Sequence, residues 1–222
     1  NQSVIMVLVD DEGDVPSQVF GMMDEVHAML DQQFREGVVE RMFVSGTRTE
    51  LADSLSETAG FTLFLPEVYQ WSVDDSVYIF RNDNPDPSEL IRQFTVTWRR
   101  PIPPDPPIDS LLDWKEAVSR EYFAYPQAVN REDLQTRNLS MGNMEITEVR
   151  GAWTNPPGSS WPAAGPFILW SVVCPQQDRL YLLDAWLYAP GKDKWEYILQ
   201  LETILGSFRC GSAARIQAQA GT

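Results

Sequence analysis

Apolar side chains fill every position from 4 to 9, and Asp10, Asp11, Glu12 and Asp14 end the run. A short continuous apolar stretch closed by acidic and glycine residues predicts a buried strand followed by a solvated turn. Pro16 suits a first helical turn. From Val19 onward, apolar residues return at three- and four-residue steps through Met22, Met23, Val26, Met29, Leu30, Phe34, Val38 and Met42. This spacing predicts one helix of about seven turns with a sustained apolar face. Ser45-Gly46 breaks it. Thr47 and Glu50 have capping-box spacing for a second helix, which carries Leu51, Leu55 and Ala59 and closes at Gly60.

Beyond Gly60 the period shortens to two. Strands are predicted over 61–65 and 76–81, and again where Phe94, Val96 and Trp98 alternate with Thr95, Thr97 and Arg99. Residues 82–87 have turn chemistry. The stretch 101–107 holds five prolines in seven residues, too poor in N–H donors for a sheet or helix interior, and reads as an exposed extended linker. Asp109 or Ser110 is the expected cap of a helix whose buried face is Leu111, Leu112, Trp114, Val118, Tyr122 and Phe123, ending before Pro126. Three strands follow at 141–154, 167–174 and 179–189. A closing helix over 192–208 is expected to bury Trp195, Ile198, Leu201, Leu205 and Phe208.

The resulting fold class is α+β, a mostly antiparallel sheet flanked by helices and preceded by a strand and a long helix. The expected organisation is an N-terminal segment 1–60, an α+β domain 61–210 and a disordered tail 211–222.

Composition narrows the function. The 222 residues are 43% hydrophobic, enough for a real core, and 32 acidic against 17 basic residues leave a formal charge of −15. Such a surface repels nucleic-acid phosphates and anionic lipid headgroups, so nucleic acid is excluded as a partner. Only Lys115, Lys192 and Lys194 are lysines, an Arg-weighted composition that suits high salt or an Arg-favouring genome. Cys174 and Cys210 are too few for a disulfide framework and lack CxxC spacing, leaving one bridge or two free thiols. Neither a run of 18 apolar residues nor a signal peptide is visible, so the chain is either cytosolic or has lost a targeting segment.

Candidate chemistry is sparse. Val9-Asp10-Asp11-Glu12 imitates the acidic pocket of a response-regulator receiver, but the later strands ending in the required Asp and Lys do not follow. The same loop lacks EF-hand spacing for Ca²⁺. His27 is the only histidine and has nothing to build a zinc site or triad with, and no serine sits in Gly-x-Ser-x-Gly. No catalytic residue, metal ligand or cofactor is assigned.

Asp184 interrupts the apolar run from Leu180 to Leu187, and a carboxylate inside a sheet must face water or find a partner. Arg150 on a neighbouring strand is the expected partner. Glycosidase chemistry at Asp184 would need a second carboxylate about 5 Å away, from Glu145 or Glu148. Eight tryptophans are present. Trp161, in Pro156-Pro157-Gly158-Ser159-Ser160-Trp161-Pro162, is on a loop where a ligand or partner can reach it, and Trp153 and Trp186 are the accompanying strand candidates.

The segments Arg150-Gly151-Ala152-Trp153, Gly165-Pro166-Phe167 and Asp184-Ala185-Trp186-Leu187-Tyr188-Ala189-Pro190-Gly191-Lys192-Asp193-Lys194 resemble a family of Bacteroidota cell-envelope lipoproteins that is itself a domain of unknown function. The likeness is most specific over 150–208 and extends back to Phe61. It departs at Ala164, where the family pattern has a first glycine. The resemblance implies a further N-terminal portion with a lipoprotein signal and acylated cysteine, so that 1–222 is a fragment of a full-length protein that is lipid-anchored on the periplasmic side of the cell envelope, the anchor lying outside this chain. It implies that residues 4–9 are the last strand of a truncated first domain. With no catalytic constellation assigned, the expected function is that of a non-enzymatic envelope protein engaging a protein partner or assembly through its sheet face and the Trp161 loop; a small-ligand or glycan binder is the alternative, and a carboxylate-dependent hydrolase the third. From Phe61 onward the element order is similar to the PsbP and Mog1 sandwich, an analogy of fold alone.

Overall fold

The computed structural model describes residues 4–10, 13–159 and 161–211. The chain divides into two compact units, the first spanning Asn1–Val44 and the second beginning at Ser45.

In the first unit, helix α1 (Val15–Met42) runs for 28 residues, about 42 Å at 1.5 Å per residue. Its length matches the sequence periodicity. Much of its apolar stripe faces outward, with Phe20 77% and Met29 54% exposed. The strand predicted at 4–9 does not form. Residues 4–10 have no ladder partner, and Val4, Met6 and Leu8 are each 80% exposed. An apolar run becomes a strand only when a neighbouring edge accepts its N–H and C=O groups, and no described residue supplies that edge.

In the second unit, helix α2 (Thr49–Thr58) leads into β1 (Phe61–Thr62), followed by β2 (Gln70–Asp74), β3 (Val77–Asn82) and β4 (Ile91–Arg99). Helix α3 (Ile108–Tyr122) precedes β5 (Ala128–Met141), β6 (Met144–Thr154), β7 (Ala164–Cys174) and β8 (Arg179–Tyr188). Helix α4 (Trp195–Gly206) and β9 (Arg209–Cys210) complete the order. Seven strands make one antiparallel sheet in the order β2-β3-β4-β8-β7-β6-β5, and β1 pairs separately with β9.

Helices cover both faces, so this unit is an α+β sandwich with a large antiparallel sheet. On one face α3 buries Leu111, Leu112, Trp114 and Val118 against Leu180, Leu182 and Trp186 of β8 and Phe167 and Leu169 of β7. The opposite face carries Tyr78, Trp98 and Tyr181, which meet Phe61 of β1 and Phe208 at ring separations of 5.3–6.5 Å. Being central and covered twice, β8 is buried along nearly its whole length, hence its unbroken apolar run.

Several local expectations are corrected. Thr47 bridges to Pro66 instead of capping α2, and Asp109 and Ser110 lie inside α3, which begins after Pro107. Only Phe61 and Thr62 of 61–65 are paired, and Trp195 is 48% exposed rather than buried. α2, expected within a 1–60 segment, clusters with the second unit, burying Leu51, Ala52 and Leu55. Cys174 and Cys210 form a disulfide with Cα atoms 6.0 Å apart, joining the end of β7 to β9. The expected tail lies outside the described residues beyond Gly211.

Candidate functional site

Strand alternation decides which of the candidate residues can meet. Asp184 shares a register position with Thr95 of β4 and Leu169 of β7, on the face covered by α3. Arg150 pairs in register with Ile168, one residue out of phase, and so projects to the opposite face. The expected Asp184–Arg150 pair is therefore absent.

Asp184 instead accepts a hydrogen bond from Lys115 of α3, Nζ to Oδ2 at 2.8 Å, and the same ammonium donates to Gln127 Oε1 at 2.8 Å. The Lys115 side chain is fully buried and Phe167 lies below its Nζ, 5.0 Å from the ring centroid. Burial pushes the Asp184 carboxyl up, and Lys115 opposes that shift. The pair fastens α3 to the sheet with no opening for a ligand. Sequence reasoning missed Lys115 because a lysine between Trp114 and Glu116 reads as a solvated helix position.

On the other face, Arg150 donates to both oxygens of Glu148 (2.6 and 3.2 Å) and to Glu202 of α4 (2.6 Å). Arg137 and the Trp170 indole also donate to Glu148. Burial alone would raise this carboxyl, but the donors more than offset it and hold it at about 2. Glu148 thus faces away from Asp184. Glu145 shares Asp184's face but aligns with Leu180 through Val173, four residues along β8, about 13 Å by strand rise. Neither approaches the spacing that paired-carboxylate chemistry at Asp184 requires.

The three candidate tryptophans, in contrast, converge. A cleft of about 750 Å³ opens where β6 and β8 meet the loop that follows β6, the turn after α3 and the 86–88 turn before β4. Trp153 and Trp186 form its floor, each 2% exposed, with ring centroids 5.3 Å apart in an edge-to-face arrangement. Tyr188 extends the aromatic surface, 6.4 Å from Trp153. Trp161 (80% exposed) and Tyr125 (57%) stand at the rim, and Asp86, Ser88 and Asn155 supply polar groups.

Local sequence explains the shape. Gly165 lies opposite Trp153 in the β6–β7 ladder, and a Cβ there would fall 1.9 Å from the Leu187 carbonyl oxygen. Without it, the Trp153 indole N–H reaches that carbonyl at 3.2 Å, which locks the floor. Ala164, at the departure from the family pattern, is exposed. The Asn155 side-chain amide donates to the Trp161 carbonyl, pinning the rim loop. Asp86 Oδ1 accepts from the Ser88 N–H (2.8 Å) and hydroxyl (2.6 Å), which hold its carboxyl below the usual range. Tyr125 and Asp86 were missed in the sequence, although Asp86-Pro87-Ser88 is a turn signature that places a fixed carboxylate at the surface.

Among the described residues no group of three or more metal-ligating side chains converges, and His27 is exposed on α1.

Residues 48–207 match the sequence pattern described as a domain of unknown function, DUF4837. The chain belongs to the DUF4837 family. The matched span contains every cleft residue from Asp86 to Tyr188. No curated protein sequence matches this DUF4837 chain. Among solved structures it is similar to the cyanobacterial PsbP (CyanoP) of Synechocystis sp. PCC 6803, with 13% identity and a TM-score of 0.41, over 68% of this chain and 86% of that one. The Ran-binding protein Mog1p of Saccharomyces cerevisiae shows 10% identity and a TM-score of 0.46, over 71% and 93%.

Proposed function

We propose that this DUF4837 chain is a non-enzymatic binding protein of the cell envelope whose aromatic cleft takes up a small organic ligand or glycan. The observation that carries the reading is the meeting of Trp153, Trp161 and Trp186 around one concave space of about 750 Å³. Pockets of this size, apolar on the floor with a few fixed polar groups at the rim, are the usual form of small-molecule sites. Trp161 contributes a solvent-facing ring on which a sugar or other flat surface can stack.

The envelope assignment, with a lipid anchor on the periplasmic side in a Bacteroidota host, rests on the resemblance of the 150–208 segments. It is supported by the Cys174–Cys210 bridge, since disulfides persist mainly in oxidising compartments. Metabolic labelling of the full-length protein with a palmitate analogue, followed by fractionation, tests the anchor. A protein partner is the second reading. End strand β2 favours it, with an outer edge that no strand among the described residues pairs and with Trp71 and Val73 44% and 46% exposed on one face.

A thermal-shift screen with mono- and oligosaccharides and small organic ligands tests the cleft, because a ligand that binds only the folded state raises its stability. The expected result is a ligand that raises Tm and loses its effect in Trp161→Ala. If no ligand acts, while cross-linking captures an envelope protein through Trp71, the cleft reading is wrong and the β2 reading replaces it.

A further inference from the structure

Resting on the cleft reading, we infer that the ligand presents a cationic amine or quaternary ammonium group to the aromatic floor. Two observations carry this. The first is the wall chemistry: Trp153, Trp186, Tyr188, Trp161 and Tyr125 surround the space, and aromatic faces attract cations through their quadrupoles, most strongly where water is displaced. The second is charge. Among the described lining residues none is basic and the only ionised group is Asp86.

The neighbouring cations are directed elsewhere. Lys192, just beyond Tyr188, is paired with Glu89 at 3.1 Å. Arg92 keeps its charge, but it pairs in register with Leu187, one residue out of phase with Trp186, and so projects to the opposite face, where it donates to Gln200 of α4. Asp86 is oriented by two hydrogen bonds from Ser88, so its charge is fixed before a ligand arrives. A net charge of −15 adds long-range attraction for a cation and repulsion for an anion. Several aromatic rings with one carboxylate and no competing cation is the arrangement that recognises quaternary ammonium groups.

The probes are choline and its neutral isostere 3,3-dimethylbutan-1-ol, titrated into the whole chain and followed by indole N–H shifts in nitrogen-labelled protein. Choline should bind about tenfold more tightly than the isostere. Asp86→Asn should cut that preference to threefold or less, and Trp161→Ala should weaken choline at least fivefold. Both residues are exposed, so neither variant threatens folding. Binding of the isostere within threefold of choline by the unaltered protein overturns the cation inference while leaving the cleft as a neutral-ligand site. No shift of the Trp153, Trp161 or Trp186 resonances with either probe overturns the cation inference. If the saccharide screen also finds nothing, the cleft reading fails with it.

Discussion

Replacing Asp184 by Ala separates a fastening role from a ligand-binding one. The substitution leaves the Lys115 ammonium, fully buried, with Gln127 Oε1 as its remaining side-chain acceptor. At 2.8 Å and an effective dielectric near 20, the Coulomb attraction being lost is about 6 kcal/mol before desolvation is counted. Removing one partner of such a pair costs about 3–5 kcal/mol, because the other charge stays in an environment water cannot reach. Equilibrium unfolding in urea should therefore show Asp184→Ala less stable by that amount, at an unchanged slope. In the double variant Lys115→Met with Asp184→Leu both charges are gone and apolar volume is restored. It should recover most of the loss, ending within about 2 kcal/mol of the parent. Ligand binding should persist in the double variant. A loss below about 1 kcal/mol for Asp184→Ala, or a double variant no better than the single, would refute the fastening role. Loss of cleft binding in a folded double variant would return Asp184 to the site.

Three other outcomes follow from the geometry. Glu148 titrates at about 2 when folded against about 4.5 when unfolded, so its stabilisation is complete above the unfolded value and fades as pH falls through 2. Its worth near pH 7 is roughly 2–3 kcal/mol after allowing for screening at half-exposed Arg137, so the stability gap between parent and Glu148→Gln should shrink from pH 6 to pH 2.5 in denaturant titrations. Reduction of the Cys174–Cys210 bridge releases a 36-residue separation and should cost about 4 kcal/mol by the chain-entropy account. Unfolding with and without dithiothreitol measures it, and a difference below 1 kcal/mol would contradict that account. Gly165→Ala forces a Cβ onto the Leu187 carbonyl, so a loss of about 3 kcal/mol or more is expected, with a changed Trp153 fluorescence; a neutral effect would mean that β7 and β8 can separate freely there.

Much of the fold was legible because its signals are local. The 28-residue helix α1 followed from apolar spacing, and β4, β7 and β8 from alternation or continuous apolar runs. β5 escaped because Asn130, Arg131, Glu132 and Asp133 look like a loop. It is an end strand, exposed over most of its length, and only its pairing with β6 makes it a strand. Residues 4–9 failed in the opposite sense: the pattern of a buried strand is there, but no edge among the described residues receives it.

At the candidate site, the sequence alone determined which residues were chemically conspicuous: Asp184 in an apolar run, Arg150 nearby, and Trp153, Trp161 and Trp186. Tertiary structure decided their company. A one-residue difference in strand phase sends Asp184 and Arg150 to opposite faces, where Lys115 takes one and Glu148 with Glu202 the other. The same phase brings Trp153 and Trp186, 33 positions apart, to within 5.3 Å on one face. Side-chain type is a property of the chain, but facing and distance arise from register between strands. Register is set by the sheet as a whole, through hydrogen-bonded ladders and the burial of both faces, so no short segment contains it.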